Sequence, residues 1–173
     1  MGMVLWLTGL SGAGKSTLAE RIAPRLKRAG HRVEILDGDA VREHLSRGLG
    51  FTREDRRANV LRIAFVAQLL ARNGVTVLVA AISPFRDARD EVRQMLMPHF
   101  VEIHVATPLE ECIRRDPKGL YARAILGELT DFTGVSQSYE PPISPEVRLD
   151  TSLMSVDNGA SAILSKMDEL GYL

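Results

Sequence analysis

The segment Gly9-Leu10-Ser11-Gly12-Ala13-Gly14-Lys15-Ser16 fits the G-x-x-x-x-G-K-[ST] spacing without a gap. It follows an apolar run, Val4 to Leu7, and leads into a helical pattern. This strand, glycine loop and helix constrain the fold more than any other part of the chain. The glycines let the backbone curl until several N–H groups point at one anion. The helix that follows adds its positive dipole end. In such a cradle Lys15 reaches the β- and γ-phosphates of a nucleoside triphosphate, and the Ser16 hydroxyl ligates Mg²⁺.

Strand and helix signals alternate along the rest of the chain, which predicts an α/β fold with a parallel sheet. Strands are expected at Val4 to Thr8, Val33 to Leu36, Val75 to Ile82, Val101 to Val105 and Val147 to Asp150. Between them, Leu18, Ile22 and Leu26 mark one helix face, and a long helix runs from about Glu54 to Asn73. The stretch after Asp39, containing Arg42, Gly48, Gly50 and Phe51, reads as a polar connection. Thr107-Pro108-Leu109-Glu110 reads as an N-cap, a proline at N1 and a capping-box glutamate. A final helix uses Ile163, Leu164, Met167 and Leu170. From Asp116 to about Pro145 the periodicity fails, as in active-site lids. The 173 residues suit one domain with the lid at about 116–145.

In a parallel α/β sheet, ligands bind beyond the carboxyl ends of the strands. That rule selects the phosphate loop, Asp37-Gly38-Asp39, Ser83-Pro84 and the Arg114 to Gly119 stretch. Asp39 suits a base near a hydroxyl nucleophile or a metal partner, and Asp37 suits the same roles less clearly. Both also suit simple capping of the next helix. Arg42, Arg56 and Lys118 supply cations from separate segments for an anion beyond the triphosphate. Phe51 and Phe132 lie in polar loops, where a pair of rings can clamp a base or each can pack its own loop. Asn59 shares a helix side with Arg56.

The ordered set of motifs resembles the adenylylsulfate kinase family over nearly the whole length. The matching pieces are GLSGAGKST at 9–17, DGDAVR at 37–42, LGFTREDRRANVLR at 49–62, ISPFR at 82–86, RDPKGLYARA at 115–124 and FTGVSQSYEPPISPE at 132–146. The resemblance implies a three-layer P-loop NTPase fold with a five-stranded parallel sheet and a lid. It implies transfer of the ATP γ-phosphate to the 3′-hydroxyl of adenosine 5′-phosphosulfate in sulfate assimilation, with Mg²⁺. Carried over, Gly9, Leu10, Ser11, Gly12, Ala13, Gly14, Lys15, Ser16 and Thr17 bind ATP. Asp39, Arg42, Phe51, Arg56, Asn59, Ile82, Ser83, Lys118, Gly119, Leu120 and Phe132 bind the acceptor. Asp39, Lys15, Lys118 and Ser83 are the catalytic candidates, and Ser16 and Asp39 the metal candidates. Ser83 is the family's phosphoserine position, but a serine with no neighbouring base is a weak nucleophile, so it is expected chiefly to bind. Ala40 and Ala122 depart from the family's usual Asn and Lys. A homodimer and a sulfurylase partner or fusion are further family expectations.

Two other readings compete. A P-loop kinase acting on a sugar acid or antibiotic would leave both rings idle. A GTP-dependent switch would use Ser165-Lys166-Met167-Asp168 to read guanine, but that stretch falls inside the last helical pattern. Twenty-two basic residues balance 22 acidic ones, which disfavours nonspecific nucleic-acid binding. Cys112 is the one cysteine, so no intrachain disulfide forms, as expected for a cytoplasmic protein. The immediate entry into a strand leaves no room for a signal peptide, and no apolar run is long enough to span a membrane. His31, His44, His99 and His104 lack metal-ligand spacing and are expected at surfaces or edges.

Overall fold

A computed structural model describes residues 2–173. The elements run β1 (Val4–Thr8), α1 (Lys15–Arg28), β2 (Arg32–Asp37), α2 (Gly38–His44), α3 (Arg53–Arg72), β3 (Val75–Ala80), α4 (Arg86–Leu96), β4 (Phe100–Val105), α5 (Leu109–Arg115), α6 (Leu120–Ile125), β5 (Val147–Leu149) and α7 (Val156–Glu169). All strands pair in parallel, in the order β2-β3-β1-β4-β5. The layers are therefore helix, sheet and helix.

Every residue of β1 is buried, as a central strand covered on both faces requires. Its side chains alternate between two cores. Leu5 and Leu7 pack with Leu18, Ile22 and Leu26 of α1 and Ile163 and Met167 of α7. Val4 and Trp6 pack with Val60, Ile63 and Ala67 of α3 and Val92 and Leu96 of α4. The four-residue spacing along α1 places its apolar stripe on the sheet. Each such side chain stabilises the fold by about 1.5–3 kcal/mol, and Ile22→Ala would cost about 2–5 kcal/mol through the cavity it leaves. Thr52 and Ser155 cap α3 and α7, accepting from the amides of Asp55 and Asn158.

Several local expectations are corrected. The polar connection after Asp39 opens with a short helix, α2, capped by Asp37. β3 stops at Ala80, and Ala81 and Ile82 begin a turn. Thr107 does not cap α5; its hydroxyl donates to the Ala13 carbonyl at 3.0 Å, and Pro108 occupies the cap position. The 116–145 segment is not wholly irregular, since it holds α6 and a Thr133–Gln137 bridge. Leu170 is a largely exposed C-cap rather than a core residue. His104 is buried on β4 and stacks on Tyr139, with ring centroids 5.8 Å apart. Lys166 lies within α7 and pairs with Glu169, so the guanine-reading alternative has no loop to stand on. Among the described residues, no helix is long and apolar enough to cross a membrane.

Candidate active site

The phosphate loop leaves the carboxyl end of β1 and enters α1. Gly12 and Gly14 have φ of 74° and 105°, a left-handed region that a Cβ disfavours. A Cβ on Gly14 would also meet Thr151 at 3.2 Å. The loop's carbonyls are tied down by donors from around it. Lys15 Nζ donates to the Gly9 and Leu10 carbonyls at 3.0 and 2.7 Å. The Tyr121 hydroxyl donates to Ser11 O at 2.8 Å, and Arg115 reaches Gly12 O at 3.3 Å. The Thr107 and Thr151 hydroxyls both donate to Ala13 O, at 3.0 and 2.7 Å. With its carbonyls turned to protein donors, the loop offers its amide side to an anion. Burial pushes Lys15 down to about 8, although it remains largely charged at neutral pH.

Tyr121, Arg115, Thr107 and Thr151 went unrecognised in the sequence as supports for this loop. The signal for Thr107 and Thr151 is their position just beyond β4 and β5. Arg115 and Tyr121 lie in RDPKGLYARA, where no local pattern assigns either a contact with the loop.

Beside the loop, Asp37 ends β2 and Asp39 lies in the first turn of α2. Asp37 Oδ2 accepts from the Ser16 hydroxyl at 2.7 Å, and Oδ1 accepts from the Asp39 amide at 3.0 Å. Asp39 forms an ion pair with Lys118 instead. The structure thus brings Asp37, and not Asp39, beside Ser16. The pair expected from the sequence for a metal is Ser16 with Asp39. Asp116 caps α6 by accepting from the amides of Tyr121 and Ala122, both at 3.0 Å. Gly119, with φ 65°, turns the chain from Lys118 into Leu120 at the start of α6.

The expected cluster of cations is present but is largely committed to main-chain oxygens. Arg42 donates to the carbonyls of Leu49 and Gly50 at 3.1 and 2.8 Å. Arg56 donates to Phe51 O at 3.1 Å and to Asp131 O at 2.7 Å. Arg56 is buried, and desolvation together with nearby Arg42 pushes it down to about 10, so it stays charged at neutral pH. The half-exposed Phe51 ring has Arg42 over it at 4.4 Å and Arg56 at 5.3 Å. Phe132 is partly buried and meets Tyr121 edge-on, with centroids 5.1 Å apart. Gln137 Nε2 donates to Phe51 O at 3.0 Å, joining the two loops that carry the rings. Asn59 is buried, and its Oδ1 has no partner among the described residues. Such an orphan needs explaining, and a ligand donor would satisfy it.

Ser83 is placed differently from expectation. Its backbone lies at the turn after β3 with φ 48°, but its side chain is buried. Ser83 Oγ accepts from Trp6 Nε1 at 3.1 Å, so the hydroxyl faces the interior of the sheet layer. It is not available as a nucleophile in this arrangement. The Ile82 carbonyl accepts from Thr8 Oγ1 at 2.6 Å, which ties the turn to the end of β1.

Among the described residues, no group of three or more His, Cys, Asp or Glu side chains forms a protein-only metal site. Ser16 and Asp37 do offer adjoining hard oxygens. That donor set fits Mg²⁺, which binds through one or two carboxylates plus phosphate and water.

The family model for adenylylsulphate kinase matches residues 1–150. An adenylyl-sulfate kinase of Rippkaea orientalis is 52% identical over 172 residues, covering 99% of this chain and 94% of its own. A probable bifunctional SAT/APS kinase 2 of Sorangium cellulosum is 49% identical across 99% of this chain, which corresponds to 29% of that protein. The solved Mycobacterium tuberculosis APS kinase CysC, in complex with AMPPNP and APS, superposes with a TM-score of 0.91 at 42% identity. It covers 96% of this chain and 98% of its own.

Proposed function

The chain belongs to the adenylylsulphate kinase family, and from that premise we infer that it transfers the γ-phosphoryl group of ATP to the 3′-hydroxyl of adenosine 5′-phosphosulfate. The products are ADP and 3′-phosphoadenosine 5′-phosphosulfate, and the pathway served is sulfate assimilation. The observation that carries this reading is the Lys118–Asp39 ion pair, near enough to Lys15 of the phosphate loop to act on its charge. The pair supports a carboxylate and an ammonium acting together on an acceptor hydroxyl and a transferring phosphoryl group.

On this reading residues 9–17 hold ATP, with Lys15 moving from loop carbonyls to phosphate oxygens. Asp39 orients the acceptor hydroxyl and takes its proton. Lys118 stabilises charge on the phosphoryl group in flight. Arg42, Arg56 and Asn59, with the Phe51 and Phe132 rings, hold the sulfated nucleotide, and the unpartnered Asn59 Oδ1 supports a donor on that ligand. Ile82, Ser83, Gly119 and Leu120 shape the pocket through their backbone. Mg²⁺ would be held by Ser16 and Asp37, and when bound it neutralises phosphate charge. The 116–145 segment acts as a lid that excludes water. The bifunctional relative supports a sulfurylase activity, fused or separate, as the source of the acceptor. The free thiol of buried Cys112 fits a cytoplasmic setting.

The test is ADP release in a coupled assay with and without adenosine 5′-phosphosulfate. Release that depends on this acceptor is expected. Equal release with gluconate or an aminoglycoside in its place would reject the assignment.

A further inference from the structure

Arg89 is a charged residue on the apolar face of α4, with 1% of its side chain exposed. Burying a guanidinium is costly unless it is paired and fully hydrogen-bonded. Glu102 on β4 supplies the charge, accepting from Arg89 Nε at 3.0 Å. Glu102 is also shared with Arg93, which donates to its other oxygen at 3.1 Å. A buried pair of this kind seldom adds net stability over apolar residues of similar volume. What the pair's other donors grip is more informative.

Arg89 Nη1 donates to Ser83 O at 2.6 Å, and Nη2 donates to Glu140 O at 2.5 Å. One rigid plane therefore spaces the turn after β3 from the returning arm of the 116–145 segment. The Ser83 backbone sits at φ 48°, a conformation that costs a non-glycine residue energy and persists only where its surroundings fix it. Arg89 holds its carbonyl and Trp6 its hydroxyl. The returning arm is fastened at the same place. The Glu140 amide donates to Pro84 O at 2.8 Å, and Glu140 Oε2 accepts from the Arg86 amide at 2.8 Å. Glu140 Oε1 accepts from Arg53 at the start of α3. One and three residues earlier, Tyr139 meets the Thr8 hydroxyl at 2.9 Å and Gln137 reaches Phe51 O.

We propose that Arg89 is a positioning residue for the acceptor half of the site, acting with Glu140 to anchor the returning arm that carries Phe132 and sets Gln137 against Phe51. The proposal rests on the kinase reading above. It predicts a larger effect on the acceptor than on ATP, because Arg89 touches none of Thr107, Arg115, Tyr121 and Thr151, the side chains that tie the loop carbonyls, and the turn it holds meets the loop through a long 3.4 Å bond from the Gly9 amide to Ile82 O.

The experiment compares Arg89→Met, Glu140→Ala and Glu140→Gln with the unaltered protein in the ADP-release assay. Arg89→Met keeps the side chain's bulk and leaves Glu102 paired with Arg93. Arg89→Met and Glu140→Ala should each raise the acceptor KM about tenfold or more, with the ATP KM within about twofold, the pattern of lost uniform binding confined to one substrate. Glu140→Gln retains an oxygen for the Arg86 amide and should recover most of the loss. If Arg89→Met fails to fold by circular dichroism, the Glu140 pair decides, since that side chain is partly exposed. Acceptor and ATP KM rising together, or an acceptor KM unmoved in Glu140→Ala, would overturn the proposal. Absence of acceptor-dependent ADP release in the unaltered protein would instead reject the kinase reading.

Discussion

Ser16 Oγ donates to Asp37 Oδ2 at 2.7 Å, joining the first turn of α1 to the tip of β2. Burial raises the Asp37 pKa, but the Ser16 hydroxyl and the amides of Asp39 and Ala40 outweigh it and hold the carboxyl below its ordinary value. It is therefore an anion at neutral pH beside a hydroxyl, and the proposed Mg²⁺ site rests on this pair. Asp37→Asn should raise the Mg²⁺ concentration for half-maximal rate by about tenfold, equivalent to about 1.4 kcal/mol. The measurement is initial rate against MgCl₂ at fixed ATP. An unchanged Mg²⁺ dependence would leave Asp37 as a helix cap alone.

Lys15 titrates near 8 because burial disfavours its charge. A polyphosphate beside it would restore that charge. At about pH 9 the ammonium is mostly lost in the free protein, so nucleotide binding should draw a proton from the buffer. Calorimetry in two buffers of different ionisation enthalpy should show uptake there and almost none at pH 7. Lys15→Ala should abolish the uptake and lower kcat by about a hundredfold or more.

The Lys118–Asp39 pair should behave as one unit. Lys118→Met and Asp39→Asn are each expected to lower kcat about a hundredfold, with the ATP KM little changed. The double variant should lose less than the two single losses combined, because each single change also breaks the contact between the two side chains. Fully additive losses would assign the two side chains to separate steps.

Arg56→Ala would take the donor from Asp131 O and one of two donors from Phe51 O, as well as remove a buried cation. The acceptor KM should rise about tenfold or more while the ATP KM stays within about twofold. Steady-state kinetics with each substrate varied in turn checks this.

His104 is pushed down to about 4 by burial and by the charges of Arg148 and Arg89. Its folded-state pKa lies below the unfolded value near 6.5, so the unfolded chain binds the proton first. Stability should fall as pH drops from about 6.5 towards 4, by about 2–3 kcal/mol from this residue. Thermal melts of His104→Gln at pH 7.5 and pH 5 should show a smaller acid-induced loss of Tm than the unaltered protein. An identical loss would move the acid sensitivity elsewhere.

The strand and helix periods exposed the sheet, because β1 is apolar from Val4 to Leu7 and α1 repeats at a helical spacing. The phosphate loop was equally plain. Less visible were features decided by contacts distant in sequence. Thr107 has the local pattern of a cap, yet its hydroxyl is needed 94 residues away at Ala13 O. α2 was hidden because a seven-residue helix with one buried residue has too little apolar face to show a period. Ser83 stood in a conspicuous motif, but only the fold reveals that Trp6 claims its hydroxyl. Arg56 looked free to seize an anion, and nothing local told of the two carbonyls it already serves.

Tyr121 lies fully buried between the two halves of the crevice, its hydroxyl on Ser11 O and its ring edge against Phe132. Any shift of the main chain around a donor nucleotide would be transmitted through that side chain to the wall that receives the second substrate. The two ligands should therefore bind with synergy or antagonism of equal size in either order of addition, a reciprocity fixed by thermodynamics once a common strut links their seats.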